Sequence, residues 1–315
     1  MINQQIKWAK SELQAQGYAI NADAKIIRNM PWSQVAYFET SRGFVYLKCT
    51  AEVFVNELRL LGFLLKQDMS HLPLLIATNQ EQRCFLMQDA GKPMRMRLKT
   101  YFDVTLAAEA LKIYATIQLS CIERVNALLG IDVPDWRLGC LPFFYNDFMD
   151  NQKTLLLDDG LSIDEITALQ KLATPFEALC ATLSKFGIPE TLESGDFHDN
   201  NILLRDNQIT IHDFGDATIS HPFFSLASFL DSAKRHHALS ENDPKYIPLL
   251  TGYLHEWAAY GTEQTLWDAF QLAQIIRHFV FALNFSRIKT CPGIEKFPEY
   301  KGYIADSLRN LIKSV

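Results

Sequence analysis

Between Ser194 and Gly215 the chain runs Ser-Gly-Asp-Phe-His-Asp-Asn-Asn, then Ile202-Leu203-Leu204, a polar Arg205-Asp206-Asn207 turn, a second apolar run, and His212-Asp213-Phe214-Gly215. Carboxylates and a carboxamide so placed suit a divalent cation such as magnesium, which takes hard oxygen ligands and leaves other positions to water and phosphate. Asn201 and Asp213 are the candidate metal ligands. Asp196, on the loop before them, is placed to orient a hydroxyl and accept its proton. Metal ligands plus such a carboxylate make up the set that phosphoryl transfer requires. Asp and Asn beside a turn most often only cap it; three such groups with this spacing argue for chemistry instead.

The elements that would bring these groups together are short. Two apolar runs flanking a turn of three to four residues predict a β-hairpin. Its open end gathers Asp196, Asn201 and Asp213. Upstream, Phe44-Val45-Tyr46-Leu47-Lys48 reads as a strand of an antiparallel meander that also takes in Lys25 to Arg28 and Val35 to Glu39. A lysine inside an apolar strand is costly unless it is paired or at an edge. Glu57, at the start of the next apolar helical stretch, fits as the partner of Lys48 better than Glu52 does.

The segment Gly195-Asp196-Phe197-His198-Asp199-Asn200-Asn201, followed by Asp213-Phe214-Gly215-Asp216, resembles the catalytic segment of the aminoglycoside phosphotransferase and choline kinase-like family, a branch of the protein-kinase-like fold. The resemblance implies an α+β chain in two lobes: a small antiparallel-sheet lobe over residues 1–91 that holds nucleotide, and a larger, mostly helical lobe over residues 92–315. It implies ATP and Mg2+ as cofactors, and transfer of the γ-phosphate to a hydroxyl of a small molecule of amino-sugar, amino-alcohol or sugar type. Lys48, positioned by Glu57, would contact the nucleotide phosphates, and Ser33, in the loop Asn29 to Ser33, would offer them a hydrogen bond. Met87-Gln88-Asp89-Ala90-Gly91 resembles the hinge between lobes, with Gln88 and Ala90 presenting main-chain groups to adenine and Gly91 supplying flexibility. Trp32 is expected to pack. That loop has no Gly-x-Gly-x-x-Gly.

Asp216-Ala217-Thr218-Ile219-Ser220-His221-Pro222-Phe223-Phe224-Ser225-Leu226-Ala227 extends the resemblance with two departures. Ser194 stands where the family usually has His, and Ser225 where it usually has Asp. These swaps keep a second reading open, a catalytically impaired kinase-like module that binds nucleotide or regulates. His198 is expected to brace the loop, Asp216 to cap the next helix or support the site, and Asp199 to face solvent. A protein kinase is disfavoured because no Ala-Pro-Glu element or long activation segment follows Asp213.

The 315 residues suffice for two cores, and 48% hydrophobic with 21% charged residues describes an ordinary globular chain. No apolar run is long enough to span a membrane, and Met1 to Gly17 lacks an apolar signal core. The net charge of -6, with no block of Lys and Arg, argues against a nucleic-acid partner. Residues 1–92 hold 10 Lys+Arg and 8 Asp+Glu, and residues 93–315 the other 20 and 28, so the first part is +2 and the second -8. This suits a polyanion in the first part and a cationic or uncharged small-molecule acceptor in the second. The six scattered cysteines, none in a Cys-x-x-Cys pair, fit buried free thiols in the reducing cytoplasm. A monomer or weak homodimer is expected.

Helices are expected over residues 2–16, 105–129, 141–149, from Ser162 to about Lys185, and over 222–239, 243–260, 264–284 and 297–313. Ser162 and Glu165 have capping-box spacing. Tyr253, Trp257, Tyr260, Trp267, Phe270, Phe279 and Phe281 are expected mainly as core. An aromatic cage for an amine, with Glu256, Glu263 or Asp268 adding negative charge, is the functional alternative.

Overall fold

The structure, a computed structural model, describes residues 2–67 and 69–315. Helix α1 (Ile2–Ala15) leads into strands β1 (Lys25–Asn29), β2 (Ser33–Thr40) and β3 (Gly43–Thr50). Helix α2 (Asn56–Lys66), β4 (Leu75–Asn79) and β5 (Cys84–Gln88) follow. The strands form one antiparallel sheet in the order β1-β2-β3-β5-β4. Strand β4 begins only after Pro73, since proline has no N–H to give a ladder. Side chains alternate along β3: Val45, Leu47 and Cys49 pack with Ala9 and Leu13 of α1, so Lys48 is turned to the opposite face.

The chain then passes through β6 (Lys92–Pro93), α3 (Met94–Thr100), α4 (Val104–Cys121), α5 (Val125–Leu129), α6 (Leu141–Asn151), α7 (Lys153–Asp159), α8 (Ile163–Lys171) and α9 (Ala173–Ser184). Strands β7 (Thr191–Glu193), β8 (Ile202–Arg205), β9 (Gln208–Ile211) and β10 (Thr218–Ser220) precede α10 (Phe223–His237), α11 (Tyr246–His255), α12 (Glu263–Lys289) and α13 (Tyr303–Ser314). The expected layout is present: an antiparallel sheet first, then a mostly helical part. One hydrophobic core reaches across both, joining Leu58, Leu61 and Phe85 to the helices behind the site.

Several boundaries differ from expectation for local reasons. The helix expected from Ser162 to about Lys185 is two helices, since Pro175 lacks the N–H that would return to Lys171. Its start is as expected, with the Ser162 and Glu165 side chains each accepting from the other's main chain. The stretch 105–129 breaks at a 3-10 turn over Ile122–Arg124. The last helix starts only after Gly302, which has φ +93. Among the described residues no helix is long and apolar enough to cross a membrane. All six cysteines are free thiols; five are buried and Cys140 is partly so.

The β8–β9 hairpin is tighter than expected. Arg205 pairs with Gln208, so the loop is Asp206-Asn207 alone, with φ +48 and +66. Both values suit the mirror-image turn that matches strand twist, and Asp and Asn tolerate it best after glycine. Pairing Ile202 with Ile211 brings residue 201 level with residue 212.

Candidate active site

Lys48 is the charge around which the site closes. It is 5% exposed, and its Nζ lies 2.6 Å from Glu57 Oε1 and 2.6 Å from Asp213 Oδ1. Its place on β3 takes it away from the α1 face, and the first turn of α2 carries Glu57 beneath it. Glu52 is exposed and reaches Arg83 instead, so Glu57 is the partner. Lys48 and Glu57 are buried and Asp213 is partly so, and an ammonium between two acidic groups meets the requirement that buried ions be paired. Burial opposes ionisation of Asp213, but Lys48 outweighs it and holds the carboxyl well below its usual range. Asp213 also sits at φ +65, a conformation that points its carboxylate back under β3 and stores backbone strain at the site.

The loop before β8 is tied to the same point. Asn201 Nδ2 donates to the Asp196 carbonyl at 2.9 Å and to its Oδ2 at 3.3 Å. The His212 N–H donates to the Asn201 carbonyl at 3.1 Å, which locks this loop to the residue before Asp213. His198 Nε2 is 3.3 Å from Asp196 Oδ2, so His198 braces the carboxylate. Burial pulls the His198 pKa down, and the charge and hydrogen bond of Asp196 more than restore it. Asp196, Asp213, Lys48, Glu57 and Ser33 line one cleft of about 390 Å³. Asn201 lies just behind that wall.

The donor set fits a hard divalent cation. Lys48 occupies one Asp213 oxygen, and the Asn201 amide spends its N–H on Asp196, which keeps its oxygen as an acceptor. Asp216, also lining the cleft, has Oδ1 buried with no partner, and burial pushes its carboxyl up to about 7. An orphaned buried oxygen among ionised groups is what a bound cation would satisfy. Among the described residues no three His, Cys, Asp or Glu side chains gather closely enough to hold a metal unaided.

Ser33, first residue of β2, is buried at the cleft with its Oγ unpartnered. The segment 29–33 is pinned rather than free: Trp32 packs edge-on against Tyr300 at 4.8 Å and Phe297 at 6.4 Å. Gln88 gives its N–H to the Leu74 carbonyl, and neither Gln88 nor Ala90 lines the cleft that holds Lys48. Gly91 packs closely against the second part of the chain. At φ +104 it presses on β8, and a Cβ there would lie 2.0 Å from the Leu204 carbonyl oxygen. Arg205 and Asp89 form an ion pair across the same contact.

Two acidic residues did more than their spacing suggested. Glu193, 1% exposed on β7, accepts from the Gly195 N–H at 2.9 Å and from Ser225 Oγ at 2.8 Å. Tyr114 OH lies 3.1 Å from Ser225 Oγ, and the Ser194 N–H reaches that oxygen at 3.5 Å. The carboxylate that the resemblance places at position 225 is thus supplied from position 193, with Ser225 as the link. Burial pushes Glu193 up to about 7. Asp199 does not face solvent. It is 2% exposed and is held by Arg95, Ser232 and His237, the last at 2.6 Å. Apart from Gly195, which bonds Glu193 locally, the side-chain partners of both lie 32 or more residues away along the chain, beyond the reach of spacing rules.

The aromatic cage does not form. Tyr253, Trp257, Phe270 and Phe279 are core, and of the seven aromatics named only Phe281 lines the cleft. Glu256, Glu263 and Asp268 lie outside it.

No protein-family model and no curated protein matches the chain. Solved structures do. An ethanolamine kinase of Plasmodium vivax superposes with a TM-score of 0.66 at 12% identity, over 96% of this chain and 85% of that one. The choline kinase LicA of Streptococcus pneumoniae gives 0.64 at 11% identity, over 99% and 98%. A variant aminoglycoside 2'-phosphotransferase IIIa, in its GDP complex, gives 0.61 at 13% identity, over 98% and 97%. The chain has the two-lobed, kinase-like fold. In that fold the cleft lies between the sheet and the helical part, where β3, the open end of the β8–β9 hairpin and α12 converge.

Proposed function

We propose that the protein is a magnesium-dependent phosphotransferase that moves the γ-phosphate of ATP to a hydroxyl of a small molecule. The observation that carries the reading is Lys48 held between Glu57 and Asp213 in the cleft that also exposes Asp196. The division at residues 91 and 92, between nucleotide-holding and catalytic parts, belongs to the same reading.

Lys48 offsets phosphate charge, and Ser33 Oγ and Arg28 face the same cleft as further donors. Asp213 and the Asn201 amide oxygen would hold magnesium, with Asp216 beside them; bound there, the ion would spread charge over the phosphate oxygens. Asp196 orients the acceptor hydroxyl and takes its proton as the oxygen bonds to the γ-phosphorus. The bond from that phosphorus to the bridging oxygen breaks, and ADP departs. His198 and Asn201 fix the carboxylate for this step. Catalysis is then chiefly positioning and charge stabilisation, as this chemistry demands. Glu193 supports an active enzyme over an impaired module, since it restores the buttress that Ser225 lacks. The protein is expected to act in the cytoplasm, as a monomer or weak homodimer, without nucleic-acid or membrane partners.

The test is Mg-ATP turnover over a panel of hydroxylated acceptors, with ADP release as readout. Asp196→Asn should lower kcat by about 10²–10⁴-fold, with the Kd for Mg-ATP within twofold of wild type. Undiminished turnover in that variant would remove Asp196 from the mechanism.

A further inference from the structure

We infer that the acceptor half of the cleft takes an anionic molecule, a hydroxylated carboxylate or phosphate ester, rather than an amine. This rests on the phosphotransferase reading of the same cleft. Beyond Asp196 the wall is built from α3, α10 and α12, and it presents Arg95, Arg235, His236 and Arg277. Arg95 is aimed by its Nε and Nη2, which donate to Asp199 and Ser232 at 2.8–2.9 Å and leave Nη1 for a ligand. Arg277 is 9% exposed, lines the cleft, and its Nε is buried with no acceptor. Such a donor costs free energy unless something accepts from it. Among the described residues Arg235 has no carboxylate within ion-pair distance.

The opposing charges do not favour a cation. Asp199 is sealed behind Arg95 and committed to it and to His237. Asp231 is the one carboxylate on this wall, and it is already paired with Arg277 and lies 3.9 Å from Lys234. On this wall an ammonium group would find no unpaired carboxylate. Of the adjoining rings, Phe285 is stacked on Tyr303 at 4.9 Å and 10° and has Lys289 5.7 Å from its centre, so a cation already lies against it. Guanidinium groups recognise carboxylate and phosphate through paired N–H donors.

Calorimetry on the full chain tests this with four probes of matched size: glycerol 3-phosphate, glycerate, glycerol and choline, each with and without magnesium and a non-hydrolysable ATP analogue. At least one of the two anions should bind ten-fold or more tightly than glycerol and choline. Arg235→Glu, a change at an exposed position, should abolish that preference and leave nucleotide affinity unchanged. Choline binding as tightly as the anions, or an anion preference untouched by Arg235→Glu, overturns the inference. ADP release is measured alongside. Anion binding without turnover keeps the subsite and sinks the kinase reading; turnover with choline as the better acceptor does the reverse.

Discussion

The Glu193 carboxyl holds its proton over a pH range in which an exposed glutamate has lost it, and is about half ionised at neutral pH, because full burial pushes it up to about 7 from 4.5. The sign follows from linkage: the native state binds a proton that the unfolded chain releases between pH 4.5 and 7. The contribution to stability is therefore complete below about 4.5 and declines as pH rises through 7, by about 3 kcal/mol in all. Glu193→Gln should flatten that part of the stability curve relative to wild type in urea unfolding followed from pH 4.5 to 7.5. The glutamine oxygen can still accept from Gly195, and the Ser225 hydroxyl can turn to accept from its amide. A variant with the same pH slope as wild type would mean that Glu193 is ionised throughout. The same residue shows how one substitution conceals another: Ser225 departs from the family pattern only until its 2.8 Å bond to Glu193 is seen.

At the scale of elements, the hairpin β8–β9 is the part that places the chemistry, and two contacts hold it. Its far end is pressed against Gly91, and its near end is locked by His212 to Asn201. Gly91→Ala would set a Cβ 2.0 Å from the Leu204 carbonyl in a left-handed backbone. A cost of about 2–4 kcal/mol is expected from strain and overpacking, read as a lower urea midpoint with an unchanged m-value. Activity at a temperature where the variant stays folded should fall as well, because Asp196 and Asp213 are positioned by the displaced strands. Retained stability would show that β8 can retreat from the hinge freely.

For the whole molecule, the notable connection is between the first sheet and the far C-terminal segment. Trp32, 7% exposed in the turn before β2, is packed by Tyr300 and Phe297. Phe54 and Cys291 share its small core, and Arg287 crosses from α12 to the Val53 carbonyl. The turn beside Ser33 is thus held over the cleft by residues more than 260 positions later in the chain. Trp32→Ala should cost about 3 kcal/mol and raise the KM for Mg-ATP while changing kcat less, since the phosphate-side turn loses its support. An unchanged KM would confine Trp32 to stability.

The order of strands before helices, the hairpin and the Lys48–Glu57 pairing were legible in the sequence because each depends on local period, turn chemistry or the cost of an unpaired buried charge. Asp196, Asn201 and Asp213 were legible for the same reason, since a short hairpin converges its own ends. The capping box at Ser162 is another local rule that held. What the tertiary structure alone decided were the relations between distant segments: Glu193 with Ser225, Asp199 with Arg95 and His237, Gly91 against Leu204, and the arginine-bearing wall of α3, α10 and α12. No periodicity encodes these. A summed charge of -8 over residues 93–315 suits a cationic or uncharged acceptor, but a cleft responds to the few charges that face it and lack partners. Folding, by pairing some charges and turning others away, determines which those are.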